Sequence, residues 1–270
     1  MINKVLIEAD KARPPIHPPW LVASGNFFFR YRNGLFPIIF VILMVLIRPA
    51  HFLGSPSWDQ VAMLVGTLIA LTGQGLRLFV IGFAYIRRGG RKGKVHADEL
   101  VVAGLYAHSR NPMYVGNFLI ACGLSICYGS AWMYGLVIPL FAWIYLAITA
   151  AEEVFLLGKF GPAYEDYVRR VNRFVPDVRG LSQTLAGYPF RWREVLSKEY
   201  GTLFATLTGL TAIAMWKEYW LYGWDAGRED ILALAWLFLP WTLFYVLVRY
   251  LKMTGRLKEP AITPAQSLHK

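Results

Sequence analysis

The sequence predicts an all-α fold, a multi-pass bundle of about six transmembrane helices with both termini cytoplasmic, and three observations predict it. Apolar residues make up 56% of the 270 and charged residues only 17%, against about 45–50% and about 25% in ordinary soluble domains. The apolar residues gather into runs close to the ~20 needed to cross a bilayer. Lys and Arg alternate between rich and poor connections, which is how a polytopic chain fixes its orientation.

Taken in order, the runs are 35–52, 61–85, 113–128, 132–150, 202–222 and 231–251. The third is short, and the second is long and carries Arg77. Residues 1–34 read as an arm, because Pro14, Pro15, Pro18 and Pro19 exclude a continuous helix, and Phe27, Phe28 and Phe29 read as an interfacial anchor. Residues 1–20 hold acids and prolines and no uninterrupted apolar core, so no cleavable signal is expected and the first span serves as the targeting signal. Three parts follow: 1–57, the arm and first span; 58–180, the core; and 181–270, a connector and a two-span hairpin.

Orientation comes from the loops. Lys4, Lys11, Arg13, Arg30 and Arg32 precede the first span, and Arg87, Arg88, Arg91, Lys92 and Lys94 follow the second. A third basic group, including Arg169, Arg170 and Arg173, follows the fourth, and Lys252, Arg256, Lys258 and Lys270 close the chain. The alternate connections are poor in basic residues, with Arg48 and Lys217 as exceptions. The net charge of +11 is therefore sided, a surface that attracts anionic lipid headgroups by about 1 kcal/mol per basic residue. Charges that flank membrane spans are explained without nucleic acid. Cys122 and Cys127 lie five apart in one span with no His at ligand spacing, so packed, reduced thiols are expected and no metal site.

The polar groups that carry chemistry cluster in the core. The segment 104–116 brings Tyr106, His108, Arg110, Asn111 and Tyr114 beside a membrane span, a costly placement unless something binds there. Pro112 stops one helix and opens the next, and a helix N-terminus offers free N–H groups to an acceptor-rich ligand. The bland reading gives Arg110 to lipid phosphate and the tyrosines to an interfacial belt. Glu152 and Glu153 follow an uncharged span, where negative charge at a helix C-terminus is unfavourable. Neighbours on a helix point about 100° apart, so one carboxylate faces the bundle while the other pairs with a loop Arg. Arg77, inside a span, requires an acid or a water-filled cavity, and the Glu pair is the expected partner. Gly73 and Gly75 read as close helix packing. Residues 156–173 form an amphipathic element broken at Gly161 and Pro162, roofing that face.

These residues resemble the superfamily of membrane methyltransferases that holds the isoprenylcysteine carboxyl methyltransferases and the phospholipid N-methyltransferases. The resemblance runs through Leu100-Val101, Gly104, Tyr106, Arg110-Asn111-Pro112, Tyr114, Gly116, Glu152-Glu153, Phe160-Gly161, Tyr164, Tyr167 and Pro176. Gly73-Gln74-Gly75 is similar to a Gly-x-Gly of the phospholipid enzymes. The resemblance implies S-adenosylmethionine as methyl donor, held at the cytoplasmic face by Leu100, Val101, Gly104, Tyr106, Asn111, Pro112, Tyr114 and Glu152. It also implies a lipid or lipid-attached acceptor. A donor that carries an ammonium suits Glu152, and a carboxylate acceptor needs only a cation, Arg110 or Arg77. An amine acceptor needs a base, for which Glu153 or His108 stands ready.

Two departures bear on these roles. Asn111 replaces the family His and loses a titratable group, and Ile148 stands where the eukaryotic prenylcysteine enzymes carry a substrate-linked Arg one turn before the first Glu. Carboxyl O-methylation leads, with phospholipid N-methylation as the alternative. A sterol-reductase-like nicotinamide enzyme and a non-enzymatic membrane protein are the readings from other classes.

Overall fold

The computed structural model describes residues 16–83 and 95–257, which form helices and connections with no strand among them. The basic residues at 87–94, Lys4, Lys11, Arg13, Pro14, Pro15, Lys258, Lys270 and the end of the second expected span at Tyr85 lie outside the described residues.

The first helix, α1, spans Pro19–Leu46, sixteen residues earlier than the apolar run begins. Pro18 and Pro19 do not prevent it, because proline is tolerated at the N-cap and first turn, where no N–H has an intrahelical partner. Phe27, Phe28 and Phe29 consequently belong to a bundle helix and not to a separate anchor. Phe29 is 3% exposed and Phe28 packs edge-on against Trp143 at 5.2 Å.

α2 spans Pro56–Phe83 and α3 spans Pro112–Tyr128. They are packed backbone to backbone through small residues. A Cβ on Gly73 would stand 2.5 Å from the Gly116 carbonyl oxygen, and one on Gly123 would stand 2.4 Å from that of Gly66. Gly75, by contrast, faces open space, so only one glycine of the pair serves packing. The 17 residues of α3 rise ~26 Å, just short of the ~30 Å hydrocarbon layer.

α4 spans Ala131–Phe160, continuing ten residues past the expected end of its run. Glu152 and Glu153 therefore stand two turns inside a helix, where the penalty of the C-terminal dipole is small. Gly161, at φ 50°, makes the turn that a side chain would strain, and Pro162 opens α5, Pro162–Arg170. Residues 156–160 accordingly belong to α4, and the amphipathic element is the shorter α5.

α6 spans Leu181–Ala186 and α7 spans Trp192–Trp236, followed by α8, Phe238–Met253. Residues 192–197, expected in a surface connection, are the start of α7. At Gly223 (φ 76°, ψ 173°) the backbone leaves the helical region and the chain turns back. Tyr245 meets Tyr200 and Phe204 at 5.1 and 4.7 Å, and Lys252 Nζ reaches the Ser197 carbonyl at 2.6 Å.

Among the described residues four stretches are long and apolar enough to cross a membrane: Pro19–Leu46, Pro56–Phe83, Ala131–Phe160 and Trp192–Met253. Six were expected. The difference lies in α3, which is shorter, and in the last stretch, which holds both arms of the fold-back.

The core lies where α1, α3 and α4 meet, around Tyr128, Met133, Val137, Ile144 and Ile148, none of them measurably exposed. At the end away from the 104–112 loop, buried Lys217 bonds Asp59 Oδ1 at 2.6 Å and the Cys127 carbonyl at 3.1 Å, tying α7 to α2 and α3. Arg48 lies over the Trp220 ring at 5.3 Å. The two basic exceptions to the charge pattern are thus a packed ion pair and a cation–π contact.

Candidate functional site

One end of the bundle gathers the 104–112 loop, the late turns of α4, α5, and the irregular return at 172–177. The loop is held by that return. Arg110 N–H donates to the Asn172 carbonyl at 2.9 Å and Asp177 N–H to the His108 carbonyl at 2.9 Å. Ser109 Oγ and Asn111 Nδ2 donate to the Phe174 and Arg173 carbonyls, each at 3.0 Å. His108 donates from Nδ1 to the Asp177 carbonyl at 2.5 Å, and its Nε2 is hydrogen-bonded to the Thr184 hydroxyl at 2.9 Å. Both ring nitrogens of His108, the expected base, are thus engaged by groups of the return and α6. The Asn111 amide is likewise committed to the loop, at the N-cap of α3 with buried Pro112 following.

α5 closes over the loop from one side. The Tyr167 hydroxyl donates to the Tyr106 carbonyl at 2.7 Å, and Lys159, in the last turn of α4, donates to the Ala97 carbonyl of the connector ahead of the loop. Burial first, helped by Glu152 at Tyr106 and by the neighbouring phenols at Tyr167, pushes these two phenols well above their ordinary range, and burial with Glu153 nearby raises Tyr164 to about 12. Leu100 and Val101 lie half-buried in the connector leading to Gly104, which is buried at φ 62°. His96 and Asp98 pair with each other in water at 3.1 Å.

The two adjacent carboxylates differ. Glu153 is 6% exposed and accepts from Arg110 Nη1 at 3.0 Å, Arg173 Nε at 3.0 Å, Arg173 Nη2 at 2.7 Å and His17 Nε2 at 2.7 Å. Four donors fill the four lone-pair positions of a carboxylate, so Glu153 ties the loop, the return and the start of α1 together and has no position left for proton transfer. Glu152, half-buried, accepts on Oε1 from the Tyr114 hydroxyl at 2.8 Å. Its other oxygen has no hydrogen bond among the described residues. The Tyr114 hydroxyl in turn receives Arg32 Nη1 at 3.4 Å, and its ring stacks on Tyr145 at 5.6 Å. On the loop side, Arg110 Nε is buried and lacks a partner among the described residues.

Arg77 does not meet the Glu pair. Its Nε and Nη2 grip both oxygens of Glu199 at 2.8 Å, Nη2 also reaches Thr202 at 3.3 Å, and Nη1 donates to Asn117. Glu199 is 3% exposed. The pair is closed by its own partners, because α7 brings an acid to the depth of Arg77 before the loop can. Glu199 had one sequence signal, an acid three residues ahead of an apolar run that follows an unpaired intramembrane Arg.

A phospholipid methyltransferase family model matches residues 61–163, from α2 to the start of α5. A nickel-cobalt-cadmium resistance protein of Alcaligenes xylosoxydans xylosoxydans is 29% identical over 61% of this chain and 72% of its own length. A cobalt-zinc-cadmium resistance protein of Cupriavidus metallidurans is 30% identical over 62% of this chain and 74% of its own. A protein-S-isoprenylcysteine O-methyltransferase of Mus musculus is 31% identical over 48% of this chain and 47% of its own. No solved structure matches. Among the described residues no three His, Cys, Asp or Glu side chains are grouped to hold a metal ion.

Proposed function

The chain belongs to the superfamily of membrane methyltransferases that includes the phospholipid and isoprenylcysteine carboxyl enzymes, and from that premise we propose that it methylates the carboxylate of a lipid or lipid-attached acceptor with S-adenosylmethionine as donor. The protein is an integral membrane methyltransferase.

The observation that carries it is the pair of open polar atoms at one end of the bundle. Glu152 offers an unpaired acceptor and Arg110 an unpaired buried donor. That is the complement of a zwitterionic amino acid, an ammonium beside a carboxylate, and S-adenosylmethionine carries one. Tyr106, Tyr114, Leu100 and Val101 supply apolar and aromatic surface for the nucleoside, and the N-terminus of α3 at Asn111 and Pro112 supplies N–H groups. When bound, the donor supplies a methyl group on a sulfonium. The residues of the chain hold, align and exclude water, which is where catalysis of an in-line displacement arises.

A carboxylate acceptor is favoured because attack by its oxygen releases no proton. The two expected bases, Glu153 and His108, have their polar atoms engaged. Lys159, Arg169, Arg170 and Arg173 at this end support a cytoplasmic position for it, facing anionic headgroups; on this reading α3 and the two arms of the final fold-back count as crossings, six in all, with cytoplasmic termini. The phospholipid family model supports a second reading, N-methylation of a lipid amine.

Membranes containing the chain, incubated with donor labelled in the methyl group and then treated with base, separate the two. A methyl ester releases volatile methanol, and the release disappears in Glu152→Gln. Label that stays with lipid under base moves the assignment to an amine.

A further inference from the structure

Among the described residues the cations of the bundle and its loop end mostly rest on carboxylates: Arg77 on Glu199, Arg110 and Arg173 on Glu153, Lys217 on Asp59. Arg32 is placed otherwise. Its guanidinium lies 4.0 Å from the centroid of the Phe29 ring and donates through Nη1 to the Tyr114 hydroxyl. No described carboxylate comes within ion-pair distance of it, and it is half-buried.

Depth gives this arrangement its meaning. α1 runs antiparallel to α4. His17 meets Glu153, Gly25 is set against Ala147 and Ala151, Phe28 meets Trp143, and Phe36 meets Phe141. Arg32 falls between Phe28 and Phe36, so it lies deeper in the bundle than Glu152, level with the Tyr145 region of α4. The Tyr114 hydroxyl is the boundary. It donates to Glu152 on the loop side and accepts from Arg32 on the deeper side. Beside Arg32, Phe27 and Tyr31 are about half exposed on the outer surface of α1. An ionisable group at membrane depth marks a substrate path unless it is paired, and this one has spare N–H donors next to an apolar outer wall.

We infer that Arg32 recognises the anionic group of the methyl acceptor, which enters from the bilayer beside α1 with its apolar tail running deeper along the exposed Tyr31 and Ile38. The inference rests on the proposed methyl transfer and deepens it. The acceptor is an amphiphile with an acidic head, and Tyr114 divides its chamber from that of the donor. A carboxylate and a lipid phosphate share that chemistry. A planar guanidinium grips either through paired N–H donors.

The test uses the purified full-length chain with two acceptors, an S-alkylated cysteine with a free carboxylate and phosphatidylethanolamine vesicles. Steady-state rates are measured for the wild type, Arg32→Gln and Arg32→Lys, and donor affinity is measured separately by calorimetry. Arg32→Gln is expected to lower kcat/KM for the accepted amphiphile about 10-fold to 100-fold, mainly through KM, as loss of a charge-assisted hydrogen bond implies. Donor affinity stays within about 2-fold, which also reports an intact fold, and Arg32→Lys recovers part of the loss. A loss confined to the cysteine acceptor identifies the carboxylate as the anion, and one confined to phosphatidylethanolamine identifies the phosphate. Unchanged kcat/KM in Arg32→Gln overturns the inference. So does an equal loss of donor affinity, which would place Arg32 in the donor site through Tyr114. A wild type that binds donor and methylates neither acceptor overturns the proposed reaction itself.

Discussion

Two charged groups within the bundle use the same residue types to opposite effect. Around Arg77 the guanidinium and both oxygens of Glu199 are consumed by each other, by Thr202 and by Asn117. At the loop end, Glu153 is equally consumed, but Glu152 and Arg110 each keep an atom unpaired among the described residues. A closed ion pair holds helices in place, whereas the atoms left open on Glu152 and Arg110 are the ones the proposed donor would use. The loop end contains both, so that Glu153 fixes the frame on which Glu152 is presented.

The sharpest way to break this comparison is to open the closed pair. Glu199→Ala leaves Arg77 buried without a counter-charge and should cost about 3–5 kcal/mol, with most of it recovered by Arg77→Met combined with Glu199→Leu. Thermal unfolding in detergent measures both. A single variant as stable as the wild type would mean that Arg77 is available to substrate after all.

The helix contact that carries Arg77 gives the next effect. Gly123→Leu, whose Cβ would stand 2.4 Å from the Gly66 carbonyl, should destabilise by about 1–3 kcal/mol through overpacking. Gly75→Ala, facing open space, should stay within about 0.5 kcal/mol. Equal melting temperatures for the two would contradict the close approach of α2 and α3.

At the loop end, His108→Ala leaves the Asp177 carbonyl and the Thr184 hydroxyl without their partner, at about 1–3 kcal/mol. Hydrogen exchange should quicken in 104–112 and 172–184 and stay unchanged around Arg77. Uniform exchange across the molecule would erase the distinction between the two regions.

The smallest effect is in acid. Hydrogen bonds from Arg179 hold the exposed Asp177 carboxyl down at about 2, below its ordinary 3.8. The folded value is lowered, so this contribution is present above the ordinary value and is lost as pH falls towards 2. Proteolysis of 172–180 should rise over that interval, and Asp177→Asn should flatten the rise.

Much of this was legible in the sequence where the signal is local. The apolar runs, Pro112 at the head of α3, the break at Gly161 and the acidic doublet all declare themselves within a few residues. Three features did not. Pro18 and Pro19 were read as excluding a helix, although they occupy the two positions where a helix accepts proline, and this hid Phe29 in the core. The acid for Arg77 lies 122 residues away in sequence, and only helix packing chooses it over the nearer-seeming Glu pair. Arg32 was read as an orienting charge, because nothing in its neighbours reveals that Tyr114 lies across from it.

The central claim is that the two adjacent carboxylates have divided roles, and donor binding tests it most directly. Calorimetric titration of the purified chain with S-adenosylmethionine should give saturable binding that weakens about 10-fold or more in Glu152→Gln while the melting temperature stays unchanged. Donor binding absent from the wild type, or untouched by Glu152→Gln, would contradict the account.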